Sequence, residues 1–519
     1  MVARLPWYVV VPALLAGAAT LLPVVYLAIR AFAIEPGVLL ELLLRPRTGR
    51  LLTNTFSLMA LVLLGTTILA LPLAWLTVRT DIKFGRLITW LAVTPLAIPG
   101  YVMAYTLLGL GGYQGLLSQL FDVLVARPSG LLGAAAALTL YTFPYLFLNV
   151  RSALLGLDAS LEESGRSLGL GQWTVARRIV LPQLRPALLA GWLIVALYVL
   201  GDFGAVALMR FETFSFAIYT QYTSAFDRSY AACLALVLLL FTVALVIAEV
   251  RLLGSRRYAR VGSGAARSSP PARLGWYAPL AYLFVVLALG AAVALPAVTL
   301  AAWMILAPPD VRQLGAVLAT FARTASVAVP AALIATLFAL PVAILSIRAR
   351  NRGGWVIERL VHVGYAIPPI ALALAFVMFS IRSAPGLYQT PALLVTAYVV
   401  SFLALAIGPI RTGLMQISPR LEETARSLGR SRSRAFLQTT LPLMTRNLLA
   451  SAALVLMVVM KELPMTYLLA PTGFTTLAVR VFGYTSEGMM PQAAPFAAAV
   501  VLFSSLVVGL LLAYEGRRR

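Results

Sequence analysis

The nonapeptide "LEESGRSLG" at residues 161–169 returns as "LEETARSLG" at residues 421–429. The repetition continues outside this phrase, because "ALPLA" at 70–74 matches "ALPVA" at 339–343. One loop can be polar simply because it meets water, but two copies with the same spacing require a common constraint. We therefore predict that the chain contains two halves built on one plan.

The amino-acid composition indicates that these halves fold in a membrane. The 519 residues are 61% hydrophobic and 11% charged, with a mean hydropathy of +0.92. A soluble domain carries about 25% charged residues. Apolar runs of about 20 residues suit helices that cross a bilayer, whereas runs such as "LIVALYVL" lack the alternation of a membrane β-barrel. We predict an all-α polytopic membrane protein with twelve spans, at 7–29, 53–78, 88–110, 130–150, 187–208, 230–250, 276–306, 322–347, 357–380, 390–410, 447–468 and 492–514.

The repeats predict two domains of six spans each, in the same orientation. Residues 1–255 and 276–519 form the repeats, and residues 256–275 form a linker whose Arg, Ser, Gly and Pro content indicates flexibility. The first span resembles a cleaved signal peptide, but its apolar run exceeds the roughly 7–15 residues of such a segment. We interpret it as an uncleaved span.

Positive charge indicates the orientation. The net charge is +23, and most of the 41 Lys and Arg residues fall in segments that are cytoplasmic if the N-terminus is cytoplasmic. This bias predicts a membrane protein with both termini in the cytoplasm. Because the arginines are scattered over short loops, nucleic acid is not a predicted partner. The single cysteine and single histidine, Cys233 and His362, exclude an internal disulfide and a histidine-rich metal site.

The repeated phrase lies in two predicted inward loops, at about 157–185 and 417–446. In each loop an N-cap residue precedes two glutamates, a glycine and a Leu-Pro pair, which indicates a short helix, a left-handed turn and a second helix that leads into the next span. The proline is predicted to start or kink that span. The residues are Asp158, Glu162, Glu163, Gly169, Leu181 and Pro182 in the first copy, and Ser418, Pro419, Glu422, Glu423, Gly429, Leu441 and Pro442 in the second.

From Glu163 to Pro182 the spacing resembles the EAA loop of ABC importer permeases. Ser164-Gly165 stands where two alanines are usual, and the second copy has Thr439 where isoleucine is usual. The resemblance implies the type I ABC importer permease fold. It also implies that both loops are coupling helices that dock on two copies of a cytoplasmic ABC ATPase, with the glutamates, glycines and Leu-Pro pairs as coupling residues.

Two longer segments carry a narrower resemblance. "LGDFGAVALMRFETFSFAIYTQYTSAFDRS" at 200–229 and "MKELPMTYLLAPTGFTTLAVRVFGYTSEG" at 460–488 are similar to the fused two-half permeases of ferric-iron importers. This resemblance implies ferric iron as the substrate and a periplasmic or lipid-anchored substrate-binding protein as a partner. Related fused permeases carry thiamine or phosphonates, so these substrates stay open as alternatives.

The chain has no ATPase motif of its own. A P-loop needs a lysine after a glycine-rich loop, and the only lysines, Lys83 and Lys461, lie in "IKF" and "MKE". We therefore expect ATP hydrolysis on separate subunits, with no enzymatic role and no cofactor for this chain. The alternative is a gradient-driven carrier, since a parallel six-plus-six repeat is also the plan of the major facilitator superfamily. Those carriers have their signature loop after the second span, whereas the repeated phrase follows the fourth.

Ionisable residues and prolines inside spans are candidates for the translocation pathway. Asp202 and Glu462 occupy equivalent places near the predicted outer ends of the fifth and eleventh spans, and Lys461 could pair with Glu462. Pro99 and Pro368 could free backbone carbonyls toward a central path, or could be tolerated kinks. Oxygen ligands at the outer mouth, suited to a hard cation or to receptor binding, are Asp202, Glu212, Asp227, Glu462, Glu487, Tyr219 and Tyr222.

Overall fold

The computed structural model describes residues 6–32, 35–223, 228–253, 271–348 and 352–516. Within these ranges nine helices are long and apolar enough to cross a membrane, or up to twelve when each of three bent helix pairs counts as one span. The regular structure there is helical, apart from an isolated bridge between Thr80 and Ala272. The prediction of an all-α polytopic membrane protein is confirmed.

The described residues of the first half form fourteen α-helices. They are α1 (Trp7–Phe32), α2 (Pro36–Leu44), α3 (Pro46–Arg79), α4 (Gly85–Val93), α5 (Gly100–Leu110), α6 (Leu116–Phe121), α7 (Gly130–Gly156), α8 (Ala159–Ser167), α9 (Gln172–Val175), α10 (Leu181–Gln183), α11 (Arg185–Gly201), α12 (Gly204–Leu208), α13 (Phe214–Thr223) and α14 (Arg228–Leu253).

The second half repeats the order of the predicted spans, although the short helices between them differ. Its helices are α15 (Ala278–Leu289), α16 (Leu295–Leu306), α17 (Val311–Arg348), α18 (Arg352–Ala366), α19 (Pro369–Ser383), α20 (Pro391–Gln416), α21 (Arg420–Ser427), α22 (Arg432–Ala435), α23 (Leu441–Met460), α24 (Pro464–Leu469), α25 (Leu477–Ser486) and α26 (Met490–Gly516). A π-helical turn, Gly290–Ala294, joins α15 to α16 in one long apolar span.

The third and ninth predicted spans are not straight helices. The segment Gly85–Ala97 meets α5 at 96°, and α18 meets α19 at 100°. Pro99 and Pro368 are the N-cap residues of α5 and α19. Proline disfavours helical geometry in the residue before it, which is why each helix stops there and a new one starts in another direction.

The fifth and eleventh spans are also interrupted. Helix α11 ends at Gly201 and α23 at Met460, and each is followed by a short helix, α12 or α24. Asp202 and Glu462 lie in the two breaks. The predicted spans 187–208 and 447–468 are therefore not continuous helices, because these carboxylates accept hydrogen bonds from amides of the short helices that follow.

The two halves interlock through their first spans. Helix α1 packs against α17, α18 and α19 of the second half, and α16 packs against α5 of the first. The largest hydrophobic core accordingly contains side chains of both halves, such as Ala13, Phe214 and Tyr398. Each hydrophobic core among the described residues contains side chains from both halves.

The end of the predicted linker is ordered. Residues 256–270 lie outside the described residues. Beyond them the Ala272 amide donates to the Arg79 carbonyl at 2.8 Å, and the Leu274 amide donates to Asp81 Oδ1 at 2.9 Å. This part of the linker is hydrogen-bonded to the end of α3 and to Asp81 just beyond it.

Candidate functional site

The two copies of the repeated phrase form the same helix, turn and helix. The Asp158 carboxylate accepts from the Ser160 amide at 3.0 Å, as predicted for an N-cap. In the second copy Ser418 Oγ accepts from the Arg420 amide at 3.4 Å, and the helix starts at Arg420, one residue after the predicted Pro419. Gly169 and Gly429 have φ of +80° and +84°, so the predicted left-handed turns are confirmed.

The second arm of each loop carries a π-helical turn. These turns, Ala176–Val180 and Phe436–Thr440, occupy equivalent positions. Such turns are rare and occur often at functional sites. Pro182 then lies in α10, which with the π turn meets α11 at 54°, whereas Pro442 lies in the first turn of α23. The predicted proline thus kinks one span and starts the other.

The two adjacent glutamates of each phrase lie in different environments, and the first of them forms an ion pair with an arginine. Glu162 is only 5% exposed, and its Oε1 lies 2.8 Å from Arg79 Nη2. In the second copy the Glu422 carboxylate accepts hydrogen bonds at 2.7 and 2.8 Å from Arg348. Arg79 and Arg348 are the last residues of α3 and α17, so each pair ties the loop to the second span of its own half.

The second glutamate and the second leucine of each phrase are exposed. Glu163 and Glu423 are exposed in both copies. Leu168 and Leu428, the residues before the glycines, are 82% and 79% exposed. An exposed leucine at the same place in both loops is a feature that sequence reasoning missed, although "SLG" in both nonapeptides carried the signal.

Electrostatics strengthen the second ion pair. Burial acts to raise the pKa of the Glu422 carboxyl, but hydrogen bonds from Arg348 and Thr440 and the positive charge of Arg348 outweigh it. The net result is a pKa below the ordinary value of 4.5. The carboxylate is therefore held in its charged form beside Arg348.

A cavity of about 990 Å³ lies between the two halves. It reaches Thr412, Arg446 and Asn447, at the ends of α20 and α23 that flank the second repeated loop. The structure brings all five predicted pathway residues to this cavity, although they come from four separate segments: Pro99, Asp202, Pro368, Lys461 and Glu462.

The charged residues of the cavity bind freed backbone groups. Glu462 accepts from the Met465 and Thr466 amides at 2.8 and 2.9 Å, and Asp202 Oδ1 accepts from the Ala205 and Val206 amides at 3.0 and 3.2 Å. Lys461 Nζ donates to the Leu96 carbonyl of the first half at 2.8 Å. The proposed pairing of Lys461 with Glu462 is therefore wrong, because both side chains satisfy helix breaks instead.

Aromatic rings from both halves lie beyond the breaks, on the side away from the coupling loops. The Phe203 ring centroid is 5.3 Å from that of Phe482 and 6.1 Å from that of Tyr467, and Tyr219 lies 5.5 Å from Tyr467. Phe203 is fully buried. We call Phe203, Tyr219, Tyr467 and Phe482 the aromatic plug, because these rings pack together where Phe203 lines the cavity.

The remaining predicted oxygen ligands do not converge. Glu212 pairs with Arg47 at 2.5 Å, and Glu487 is exposed. Tyr219 belongs to the aromatic plug, Tyr222 is half-buried, and Asp227 lies outside the described residues. Among the described residues no group of three or more His, Cys, Asp or Glu side chains could hold a metal ion.

Besides Tyr101, which lies two residues after Pro99, sequence reasoning missed four tyrosines that line the cavity. They are Tyr141, Tyr145, Tyr198 and Tyr365. No local pattern marks them, since they lie on three different segments in apolar surroundings.

Comparison with known proteins identifies the family. Residues 68–256 and 335–519 each match the binding-protein-dependent transport system inner membrane component family. The chain is 32% identical to the Fe(3+)-transport system permease protein FbpB 2 of Haemophilus influenzae, over 98% of this chain and 99% of that protein. It is 31% identical over 185 residues to the molybdenum transport system permease protein ModB of Escherichia coli, and 30% identical over 203 residues to the sulfate transport system permease protein CysT of the same species, matches that cover 34% and 37% of this chain. Each matched segment contains one copy of the repeated phrase, and both halves line the central cavity. The chain therefore belongs to the binding-protein-dependent transport system inner membrane components, as a transport permease with two family domains in one polypeptide.

Proposed function

We propose that this permease is the translocation pathway of an ATP-driven importer for ferric iron. The observation that carries the proposal is the similarity over nearly the whole length to an Fe(3+)-transport permease, which shares the fused two-half organisation. The molybdenum and sulfate permeases match only about a third of the chain, and they are single-half matches. Residues 1–255 and 276–519 are the two halves, joined by 256–275.

The coupling loops at 157–185 and 417–446 are the docking sites for two ABC ATPase subunits. Each loop offers an exposed glutamate and an exposed leucine next to a left-handed glycine, an arrangement that supports binding in a cleft of a partner. Glu162 and Glu422 hold the loops to α3 and α17. Motion of a docked ATPase thereby reaches the membrane spans through two ion pairs.

The opposite face receives a substrate-binding protein. ATP is hydrolysed by the separate subunits, and the chain itself has no enzymatic role. The distribution of arginine supports cytoplasmic coupling loops and termini in a bacterial inner membrane. With a cavity open toward the coupling loops and an aromatic plug on the other side, the described conformation corresponds to the inward-facing state of alternating access.

Co-purification tests the docking sites. We would express the tagged chain with its genomic neighbours in a host that lacks ferric permeases. The double variant Gly169→Asp with Gly429→Asp adds charge at two left-handed turns with open space around each glycine. We expect the wild type to retain an ATPase subunit in mild detergent and the variant to lose it.

A matched control uses glycines of the same geometry on the opposite face. Gly473 and Gly488 have φ of +80° and +79° and also have open space around them. The double variant Gly473→Asp with Gly488→Asp should keep the ATPase. Loss of the ATPase in both variants would contradict docking at the repeated phrase, and absence of radioactive iron uptake by the wild-type complex would contradict the substrate.

A further inference from the structure

The cavity is chemically one-sided, although the two halves are related by sequence. Equivalent positions of both halves line it, but the first half presents Tyr141, Tyr145 and Tyr198 where the second presents Ser401, Leu405 and Val458. At one position the tyrosine belongs to the second half, because Tyr365 corresponds to Leu96 of the first half. Duplication alone would give the two halves similar cavity-lining residues. The tyrosines therefore reflect a functional requirement on one side of the cavity.

The four tyrosines form one connected face. The Tyr145 hydroxyl donates to the Tyr198 hydroxyl at 2.7 Å, with the two rings stacked 4.6 Å apart. The Tyr141 ring meets the Tyr198 ring edge-on at 5.8 Å, and the Tyr198 side chain also interacts with Tyr365. We call Tyr141, Tyr145, Tyr198 and Tyr365 the tyrosine wall.

Asp202 adds a carboxylate oxygen beside this wall. Both backbone amides that it caps donate to Oδ1. The Asp202 Oδ2 atom and the Tyr141 ring both lie next to Gly100. They are 3.0 and 3.5 Å from the position that a Cβ atom on this glycine would occupy. Within the described part of the chain no hydrogen bond reaches that Oδ2, whereas the equivalent Glu462 uses both oxygens.

Tyr101 supplies an independent indication of a ligand. Its side chain lines the cavity and is 4% exposed, and its hydroxyl has no hydrogen-bond partner among the described residues. A buried hydroxyl without a partner costs about 1–3 kcal/mol. A ligand that binds in the cavity would satisfy it.

The available groups indicate the class of ligand. Positive charges in the lining are Lys461, which is already bonded to the Leu96 carbonyl, and Arg446, which lies about 20 Å away along α23. An oxyanion would need free cationic or amide donors. Phenol and carboxylate oxygens are instead hard ligands, which suit a trivalent cation, and tyrosine is an established iron ligand in proteins.

We propose that Asp202, Tyr101 and the tyrosine wall form a transient binding site for ferric iron on its way through the cavity. The inference rests on the proposed function and deepens it. Each protein oxygen replaces one water of the ion, and a phenol that coordinates iron releases its proton to water in the cavity. Tyr365 belongs to the second half, whereas the other three tyrosines of the wall belong to the first. Movement of the two halves relative to each other therefore changes the site, which permits release of the iron.

A spectroscopic titration tests the site. Ferric nitrilotriacetate is added to the purified, detergent-solubilised chain, and the visible phenolate-to-iron charge-transfer band is recorded together with the iron retained after desalting. We expect a saturable band in the wild type. The triple variant Tyr141→Phe, Tyr145→Phe and Tyr198→Phe should lose the band and bind iron at least about tenfold more weakly.

Two further variants keep the test decisive. Tyr113→Phe, at a tyrosine that is 86% exposed, should behave like the wild type. Asp202→Asn retains an oxygen for capping α12 and should weaken binding even if the triple variant fails to fold. Absence of a band in the wild type, or an unchanged band in the triple variant and in Asp202→Asn, would overturn the proposal.

Iron uptake in cells separates this inference from the proposed function. If the wild-type complex imports iron and the triple variant, with its ATPase still bound, imports iron equally well, the tyrosine site is refuted and the importer function stands. If the wild-type complex imports no iron, the proposed substrate is itself refuted.

Discussion

Arg79 Nη2 lies 2.8 Å from Glu162 Oε1, and both side chains are 7% exposed. This pair joins the last residue of α3 to the first glutamate of the repeated phrase. Arg348 and Glu422 repeat the arrangement in the other half at 2.7 Å. The doubled ion pair shows that one glutamate of each loop acts inside the permease, while its neighbour remains available to a partner.

Replacing the inner glutamate should destabilise the permease. In Glu162→Ala the buried guanidinium of Arg79 loses its charged partner, which costs about 3–5 kcal/mol. We expect a clearly lower melting temperature in detergent. The matched control is Glu163→Ala, at the adjacent exposed glutamate, which should melt like the wild type but bind the ATPase more weakly. Equal melting of the two variants would contradict the division of roles.

Stability should depend on pH through Glu422. The pKa of the Glu422 carboxyl in the folded chain is below 4.5. The pair with Arg348 therefore stabilises the folded chain at pH values above the pKa of this carboxyl in the unfolded chain. The contribution is lost as the pH falls through the folded-state pKa. The difference in melting temperature between the wild type and Glu422→Gln should be constant from about pH 7 to pH 5 and should shrink at lower pH. A difference that grows on acidification would contradict this sign.

The unusual residues of the two loops should be energetically coupled. A Cβ on Gly165 would lie 2.5 Å from Ile179 Cδ1, and the second copy has the opposite combination of sizes, Ala425 and Thr439. We expect Gly165→Ala to be stabilising, through helix propensity, only when Ile179→Thr removes the crowding. A double-mutant cycle on thermal stability should give a coupling of about 1 kcal/mol. Additive effects would mean that the two side chains do not constrain each other.

The aromatic plug should control access to the cavity. With Cys233→Ser as background, Leu405→Cys places a single thiol in the cavity lining. In proteoliposomes an impermeant thiol reagent should label it from the coupling-loop face alone. Phe203→Ala removes a fully buried ring of the plug and should allow labelling from both faces.

A control for access keeps the plug filled. Phe203→Leu retains most of the apolar volume and should preserve one-sided labelling. Labelling from both faces before the plug is altered would show that these rings do not close the pathway.

The sequence alone determined the features that local patterns encode. Apolar runs fixed the membrane-spanning class, and the spacing within 161–169 and 421–429 predicted two short helices that end in left-handed glycines. These features depend on propensity, capping and periodicity within a few residues, so they can be read without knowing the neighbours.

Only the tertiary structure decided how distant residues meet. The sequence places both Glu162 and Glu163 among the predicted coupling residues, and only the position of Arg79 across a helix interface shows that Glu162 is buried in an ion pair. The spans predicted through Asp202 and Glu462 are not continuous helices, because these carboxylates bind amides that the helix breaks free. The tyrosine wall joins Tyr198 to Tyr365 across the two halves, and such a contact is set by the packing of whole helices, which single-residue patterns do not encode.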